Sequence, residues 1–493
     1  MTTGAVILVA SKQEDGTIIA CFALLLLILS AFVLPTAIEP NYATDFYDAP
    51  AHVTRALYVA QTGHSNPFAD PYYDLQPGVF YATSIFMLVT DIGPWLITKW
   101  FNVLFLAVAL LPSLAFLGKS ILSNRLLPLY FCVTLLLTWP GRYHYSAQVY
   151  SLPLFIFATG LVIRYLYSKR SKHEEFLVIL ILFPAMVICH QLASLATLIM
   201  LVTACVWLIA VRGARSKLTH VLGMTIVFAL TWAVYLFWLS MFAFGNLLTT
   251  LVGIFGVLFA EGLLPLVSKA IVRPDPLYQQ LIYAKASFTA VTYIASSMVL
   301  AFMWLRKRLT FGLVLLMMMG ICAVIYLLGF PLGGTSYVER AVLFTGFLAA
   351  IGLTFGVSNL PKRRISTFVA AVFLISLTLA GTVLLNSARN FQSETYSEGA
   401  STVFLARYEP NNRNPPLIDM RVVDITDATK VDYNSLATQA PRYDALLFRM
   451  DRFIETTYSA GPEYDPLSRA NQNVMLLRVY SSGSSSVYLA NGT

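Results

Sequence analysis

The carboxylates and histidines of this sequence gather directly after its first long apolar stretch. Asp45, Asp48 and His52 fall close together, and Asp70 and Asp74 follow in the same polar stretch. Carboxylates and imidazoles are the side chains that most often move protons in enzymes. Asp48 and His52 are four positions apart, so a helix would place them on one face. This segment is therefore the first candidate for a functional site.

Asp48 also has a purely structural interpretation. It precedes Ala49-Pro50, and Asp is favoured at the N-cap of a helix while Pro is favoured in the first turn. The two roles are compatible, because a capping carboxylate at a membrane surface is held firmly and stays partly exposed. The pattern predicts a helix that begins just after Asp48. We interpret Asp70 and Asp74 as loop and turn residues, although the stretch "DPYYD" could bind a cation.

Most of the chain is predicted to lie in a lipid bilayer. Of its 493 residues, 57% are hydrophobic and only 12% are charged, whereas soluble proteins carry about 25% charged residues. The net charge of +8 comes largely from short basic clusters between apolar runs, at 169–172, 212–217, 306–308 and 362–364. Such clusters are typical of cytoplasmic loops, whereas binding to nucleic acid needs one continuous basic face. Nucleic acid is therefore excluded as a partner.

Apolar runs of roughly twenty residues, the length that crosses a bilayer, predict about 11 transmembrane helices. They lie at 17–37, 95–117, 125–140, 147–168, 176–190, 191–211, 218–243, 288–305, 309–330, 340–358 and 366–386. With the N-terminus inside, every dense basic loop falls on the cytoplasmic face. The outer face then receives 38–94 (the first external loop), 141–147, His190, 244–287, 331–339 and the chain after 387.

Some segments of the membrane domain, which we place at 1–386, do not fit simple spans. Residues 79–90 are too short to cross and are predicted to form a helix that lies against the outer leaflet. Residues 246–287 are apolar in their first half and polar after Arg273, which is typical of an interfacial or re-entrant element. The pair 176–211 is short for two crossings, so one of them could be a shallow re-entrant.

The composition becomes that of a soluble domain after residue 387. The stretches "DALLFRM" and "NVMLLRVYSSGSSSVYLA" have the pattern of strands, the second forming a hairpin that turns at Ser-Ser-Gly-Ser. We predict a small external α/β domain over 387–493. The predicted fold class is therefore a mainly α, polytopic membrane protein followed by this domain.

Polar side chains from distant parts of the sequence meet on the outer face in this topology. Besides Asp45 and Asp48 they are His52, His64, Arg142, His144, His190, Lys269, Arg273 and Arg340. Their convergence suggests a site between the helices. A membrane transporter or lipid flippase is the alternative interpretation, but transporters place charges near the membrane midplane, and here the charges lie at the ends of the spans.

The order of these elements resembles the C-type (GT-C) superfamily of polytopic membrane glycosyltransferases. The resemblance rests on the acidic motif in the first external loop, the helix with His52 one turn on, the stretch "TGHSNPFADPYYDLQPGVFY" and the surface helix before the second span, over about residues 15–240. The superfamily includes protein O-mannosyltransferases, oligosaccharyltransferase catalytic subunits and aminoarabinose transferases. The sequence has no W-W-D-Y-G string, which argues against an oligosaccharyltransferase.

The resemblance implies transfer of a sugar from a polyprenyl phosphate to an acceptor on the outer face, with inversion. The phosphate leaving group needs cations more than a general acid, and the attacking hydroxyl needs a base. The family's first-loop carboxylate falls on Asp48 or Asp45, so we expect Asp48 to be the base and Asp45 to be the second candidate. The family's second external loop often carries another acid, where this sequence has Arg142, His144 and Gln148.

The other candidates are predicted to bind substrate, each with a structural alternative. Arg340 could grip the lipid phosphate with two hydrogen bonds or be an interfacial anchor. Lys269 and Arg273 are rivals for the same role, or attract anionic headgroups. His190 is either a buried structural group or a ligand, and His144 occupies the loop where the family keeps a functional residue.

The expected partners follow from the same resemblance. They are a lipid-linked sugar donor, a glycan, glycolipid or protein acceptor, and membrane lipids. The metal site is unknown; the sequence names no certain cofactor and leaves room for a divalent cation such as Mg²⁺ or Mn²⁺. The five cysteines lie in apolar runs without metal-binding spacing. We expect a multi-pass protein of the plasma membrane with its active face and C-terminal domain outside.

Overall fold

The fold is a helical bundle with a β-sheet near the C-terminus. The computed structural model describes residues 42–44, 49–65, 76–93, 105–138, 145–167, 173–210, 215–239, 276–306 and 335–358, the single positions 96, 97, 100, 245, 252 and 256, and the short strands 394–395, 417–419, 429–431, 445–449, 476–481 and 485–490. The predicted spans 17–37, 309–330 and 366–386 lie outside these residues, as do Asp70, Asp74 and most of 246–275.

Ten helices are described, and their bounds match most of the predicted ones. They are α1 (Ala49–Thr62), α2 (Gly78–Thr90), α3 (Leu111–Ile121, preceded by a π-helical turn at Leu106–Leu110), α4 (Leu127–Thr138), α5 (Ala147–Tyr167), α6 (His173–Cys189), α7 (Gln191–Ala210), α8 (Arg215–Val234, continued by a π-helical turn at Tyr235–Leu239), α9 (Pro276–Leu305) and α10 (Thr335–Ser358). Within the described residues, three helical segments are long and apolar enough to cross a membrane: Ala147–Leu166, Gln191–Ile209 and Lys217–Phe237.

Two helices begin earlier than the sequence predicts. Helix α9 starts at Pro276, although 276–287 were assigned to an external loop. Proline is favoured in the first turn of a helix, and the polar residues that follow are compatible with one. Helix α10 starts at Thr335, so Arg340 lies in its second turn and does not open the helix. In both cases the apolar run predicts where lipid contact begins, and the helix extends beyond it.

One end of the bundle is held together by contacts of charged side chains. At one end the Arg164 Nε atom lies 3.2 Å from Glu175 Oε1, and the Lys217 ammonium donates to the carbonyls of Tyr165 and Leu166 at 3.2 and 2.7 Å. These contacts join the end of α5 to the beginnings of α6 and α8. The end of α5 and the beginnings of α6 and α8 therefore lie at one end of the bundle, which agrees with the predicted alternation of these helices.

Helices α9 and α10 pack closely along small residues. Ser296 donates to the Ala349 carbonyl at 2.8 Å, and Tyr293 and Thr345 share a hydrogen bond at 2.5 Å. A Cβ on Gly352 would lie 2.9 Å from the Ser296 carbonyl oxygen and 3.0 Å from Leu300 Cγ. The partners rise together along both helices, so the pair is parallel. This agrees with the alternation of the predicted spans.

The described residues include seven strands, which form two sheets. Strand β1 (Tyr42–Thr44) pairs antiparallel with β2 (Glu394–Thr395), joining the first loop to the chain after the last predicted span. The other strands are β3 (Leu417–Asp419), β4 (Thr429–Val431), β5 (Ala445–Arg449), β6 (Leu476–Ser481) and β7 (Ser485–Ala490). They form a five-stranded sheet in the order β4-β3-β5-β7-β6. Strand β3 runs parallel to β4 and β5, and β7 runs antiparallel to β5 and β6. The predicted strand and hairpin are confirmed, and the domain boundary at 387 stays a prediction.

We expect Gly352→Ala to destabilise the protein by about 1–3 kcal/mol, the usual cost of overpacking a tight contact. Gly223→Ala is the matched control, because a Cβ on Gly223 meets nothing within 4 Å. Alanine favours the helix there, so this variant should unfold at the wild-type temperature or slightly above. Thermal unfolding in detergent measures both variants. Equal melting temperatures would show that the α9–α10 contact is looser than the structure indicates.

Candidate functional site

Helix α2 is the element against which the candidate site is assembled. One of its faces is buried through Val79, Phe80, Thr83, Ser84 and Met87. The helix has 13 residues, about 20 Å at 1.5 Å per residue, and so is too short to cross a bilayer core of about 30 Å. Its other face is apolar and exposed, with Leu88 68% and Val89 78% exposed. A helix is therefore confirmed at the predicted residues, and its exposed face suits contact with lipid; its position against the outer leaflet stays a prediction.

Helix α1 packs on α2 through a narrow apolar stripe. Val53, Ala56 and Val59 recur every three residues and are almost completely buried, which is the spacing of one helix face. The Ser84 hydroxyl donates to the Ala56 carbonyl at 2.5 Å and so fixes the pair along their length. Burial of this stripe supplies most of what holds α1, since nonpolar area is the main source of packing energy.

The beginning of α5 contacts the same surface. The Tyr145 hydroxyl donates to Thr83 Oγ1 at 2.7 Å, and Tyr145 and Ala147 belong to the apolar cluster of α1 and α2. Burial raises the pKa of Tyr145 well above its ordinary value, so its hydroxyl stays protonated and remains a donor. The first external loop and the chain around 145 therefore meet at one end of the bundle, as the topology predicts.

The junction between α6 and α7 completes this end. Gly78 lies against it: an added Cβ would be 3.0 Å from the Ile188 carbonyl oxygen and 3.0 Å from Cys189 Sγ. The Gln191 backbone N–H donates to Gln76 Oε1 at 3.1 Å. His190 is 5% exposed, and its Nδ1 accepts the Leu192 N–H at 3.2 Å. The single non-helical residue between α6 and α7 is therefore packed against the first loop.

His52 lies at the centre of this contact. It is 3% exposed, with the Phe80 ring stacked at 5.9 Å and the Tyr145 ring edge-on at 6.4 Å. Burial, with the nearby Arg55 charge, lowers the pKa of His52 from its ordinary value of 6.5 to about 3. The imidazole is therefore neutral at physiological pH. It cannot supply a positive charge to a phosphate, so a role in binding substrate would come through hydrogen bonding.

The two candidate bases lie between described elements but outside the described residues. Strand β1 ends at Thr44 and α1 begins at Ala49, so Asp45 and Asp48 belong to a connection of four residues. The predicted helix start after Asp48 is confirmed, with Pro50 as its second residue. Because β1 pairs with β2 and α1 packs on α2, both ends of this connection are anchored.

The predicted cationic residues are described only in part. Arg142, His144, Lys269 and Arg273 lie outside the described residues, and only the backbone of Arg340 is described. His64 lies exposed after the end of α1. Among the predicted site residues with described side chains, the structure brings His52 and His190 to the same end of the bundle. Their predicted roles in binding substrate stay predictions.

Several residues of this end were missed in the sequence. Its contacts are made by Gln76, Gly78, Thr83 and Tyr145. None of these residues is charged, so none was chosen as a candidate from the sequence. The one available signal is the turn "QPGVFY", in which a polar residue precedes Pro-Gly at the beginning of an apolar helix. Such a position is often packed rather than solvated.

The described side chains do not form a metal site. No three His, Cys, Asp or Glu side chains come together among the residues that the structure describes. A cation held through Asp45 and Asp48 would depend on residues outside the described part.

Comparison with solved structures identifies the fold. The archaeal oligosaccharyltransferase AglB from Archaeoglobus fulgidus, in complex with an inhibitory peptide and a dolichol-phosphate, matches 95% of this chain and 74% of its own, with a TM-score of 0.54 and 11% identity. A second structure of the Archaeoglobus fulgidus oligosaccharyltransferase, in complex with Zn and sulfate, matches 94% of this chain and 73% of its own, with a TM-score of 0.54 and 10% identity. ArnT from Cupriavidus metallidurans matches 96% of this chain and 98% of its own, with a TM-score of 0.51 and 11% identity.

These neighbours are GT-C proteins, so the predicted resemblance in fold is confirmed. The match covers nearly all of this chain and therefore extends beyond the first helices on which the resemblance rests. No protein-family model matches the sequence, and no curated protein matches it.

The burial of His52 predicts a specific dependence of stability on pH. Between pH 6.5 and about 3 the unfolded chain binds a proton at this residue that the folded chain does not. The free energy of unfolding should therefore fall as the pH falls below 6.5, by up to about 1.4 kcal/mol per pH unit from this group. Unfolding in detergent between pH 7 and pH 5 measures the slope.

His52→Leu should flatten this slope by the contribution of one proton, and His64→Leu should retain it. The control is apt because His64 lies in the same loop but is exposed. If His52→Leu and the wild-type protein lost stability in parallel, His52 would not be buried as a neutral group.

Proposed function

We propose that this protein is a membrane glycosyltransferase that transfers a hexosyl or pentosyl group from a polyprenyl (dolichyl or undecaprenyl) phosphate to an acceptor. The observation that supports this proposal most strongly is the GT-C fold, which extends over 95% and 96% of the chain in two different neighbours. One of them binds a dolichol-phosphate, the lipid that such a transfer releases. The fold gives no support to the transporter or flippase that the sequence left open.

The reaction takes place at the end of the bundle where α1, α2, Tyr145 and His190 meet. Three separate parts of the chain converge there, and the basic residues Arg164 and Lys217 lie at the other end. By the positive-inside rule this end is extracytoplasmic. The protein is then a multi-pass protein of the plasma membrane with an outward-facing site, and its C-terminal sheet lies on the same side, where it could hold a glycan, glycolipid or protein acceptor.

Asp48 acts as the general base in this proposal. It accepts the proton of the acceptor hydroxyl while the hydroxyl oxygen attacks the anomeric carbon on the face opposite the phosphate. The bond from that carbon to the phosphate oxygen breaks, and the configuration inverts. Polyprenyl phosphate leaves as an anion, which is a weak base and needs no proton.

Positive charge at the phosphate is supplied by side chains other than His52. Arg340, Arg142, Lys269 and Arg273 are the proposed cations, with His144 beside them. His52 is neutral, so its contribution is to hold α1 against α2 and thereby to fix the helix that follows Asp48. A cation bound by Asp45 and Asp48 would stabilise the leaving phosphate in addition.

Asp48→Asn separates the chemical role of this residue from its structural one. Asparagine caps a helix about as well as aspartate but cannot accept a proton at pH 7. We expect the variant to fold normally and to lose sugar transfer by about 10²–10⁴-fold, the usual contribution of a general base. The assay uses purified protein in lipid nanodiscs, polyprenyl-phosphate sugars as donors and a membrane extract as the source of acceptor.

The controls distinguish a base from a cap. Asp45→Asn tests the second candidate, and Asp70→Asn and Asp74→Asn remove comparable charges from the same loop and should retain transfer. Asp48→Ala should lose both the cap, about 1 kcal/mol, and the activity. If both Asp48→Asn and Asp45→Asn retained full transfer, neither carboxylate would be the base. If, in addition, Asp48→Ala lost stability, the role of Asp48 would be that of a helix cap only.

A further inference from the structure

Gln76 is a buried amide whose orientation is fixed by one hydrogen bond. It precedes the Pro77-Gly78 turn that opens α2 and is 3% exposed. The Gln191 N–H, in the first residue of α7, donates to its Oε1 at 3.1 Å. Exchange of the amide oxygen and nitrogen would place two donors face to face, so this bond also fixes the position of the NH₂ group.

The NH₂ group of Gln76 lacks a hydrogen-bond partner in the structure. Its Nε2 is buried and contacts no acceptor among the described residues. Ser194 Oγ, in the first turn of the same helix α7, is buried and equally unpartnered within that region. Buried polar groups are nearly always paired. The unpaired Gln76 NH₂ group, bonded through its other amide atom to the beginning of α7, therefore indicates a position where a ligand supplies the missing partner.

The turn that carries Gln76 is held rigidly. Gly78 packs with no space for a side chain against the Ile188 carbonyl and Cys189 Sγ, as its 3.0 Å contacts show. Pro77 removes further backbone freedom. The amide is thus presented at a fixed place beside the beginning of α7, which is a requirement for a binding group that must not reorganise.

The chemistry of this position favours an anionic oxygen. Helix α7 has 20 residues, and its first turn carries the partial positive charge of the helix dipole. The Gln76 NH₂ group adds donors on the same side. Gln76 is buried, and a hydrogen bond to a charged oxygen is stronger where water is excluded.

The depth of this position indicates which anion it meets. The membrane-crossing segment of α7 begins at Gln191, the residue that is bonded to Gln76. The end of a transmembrane segment lies at the level of the lipid headgroups, and a lipid phosphate lies at the same level. Free phosphate has the same chemistry but no reason to be confined to this depth.

We propose that Gln76 and the N-terminus of α7 form the subsite that binds the phosphate group of the lipid-linked donor. This inference rests on the proposed function, since it names the residue that holds the donor of that reaction. Gln76 donates from Nε2 to a phosphate oxygen, and Ser194 lies in the first turn of the same helix α7. Gln76 binds substrate in this arrangement and takes no part in proton transfer.

Gln76→Glu tests the subsite with a minimal change. The carboxylate retains an oxygen for the Gln191 N–H and replaces only the NH₂ group, so the donor is lost with little change in shape. Loss of a hydrogen bond to a charged group weakens binding by about ten- to a hundredfold. Gln61→Glu is the matched control, because it adds the same charge at an exposed position of α1. Gln76→Met removes the donor without adding a charge and serves if the glutamate variant is unstable.

Binding is measured on the full-length protein in nanodiscs, with undecaprenyl phosphate in one arm and inorganic phosphate in the other. We expect Gln76→Glu and Gln76→Met to weaken binding of the lipid phosphate at least about tenfold, with Gln61→Glu unchanged. Parallel weakening of inorganic phosphate would identify the phosphate group itself as the ligand. A loss confined to the lipid form would identify a site for the lipid headgroup. Wild-type affinity for lipid phosphate in both Gln76 variants would overturn the proposal.

Sugar transfer separates this inference from the proposed function. In an active protein, Gln76→Met should raise the KM for the donor and leave kcat nearly unchanged, a split that a general loss of folding would not produce. If Gln76→Met transferred sugar with an unchanged KM for the donor, the subsite would be refuted and the proposed function would be retained. Lipid phosphate binding that depends on Gln76, without transfer by any donor, would retain the subsite and refute the function.

Discussion

The docking of helix α2 on the end of the bundle is the constraint on which the candidate site depends. This helix is too short to cross the membrane. It is held in place by the hydrogen bond from Ser84 to α1, by the hydrogen bond between Thr83 and Tyr145, and by the packing of Gly78 on Cys189. Each contact reaches a different part of the chain. Without α2 the helix that follows Asp48 would have no surface to pack against, because α1 buries its apolar stripe on that helix.

Apolar burial also determines what His52 can do. The residue types of the first loop suggest an acid and an imidazole acting together, which is a common arrangement for proton transfer. The structure instead encloses the imidazole between Phe80 and Tyr145, where desolvation keeps it neutral. His52 therefore contributes to the packing between α1, α2 and Tyr145, and its neutral ring would leave the positive charge of the proposed phosphate site to arginine and lysine side chains.

Much of the fold could be predicted from the sequence, because a bilayer imposes strong patterns. Apolar runs gave the bounds of α4 to α8 within a few residues, and Asp48-Ala49-Pro50 predicted the beginning of α1. The early starts of α9 and α10 were missed, since hydropathy marks where lipid contact begins and a helix can extend beyond it. The hairpin at 476–490 was predicted from its serine and glycine turn, whereas the pairing of β1 with β2 joins residues about 350 positions apart and leaves no local pattern.

The candidate site was predictable in its location but not in its contacts. Loop alternation placed the first loop, residues 141–147 and His190 on one side, and the contacts of Tyr145 and Gln191 bring them together. The role of Gln76 depends on a single backbone N–H of α7, which no spacing in the sequence could indicate. Uncharged residues gain such roles only through tertiary packing.

The most direct measurement is an experimental structure of the protein in nanodiscs with undecaprenyl phosphate bound. Density for the phosphate beside the N-terminus of α7, within reach of Gln76 and facing the connection between β1 and α1, would agree with the proposed site. Density for the phosphate at the other end of the bundle, near Arg164 and Lys217, would contradict it.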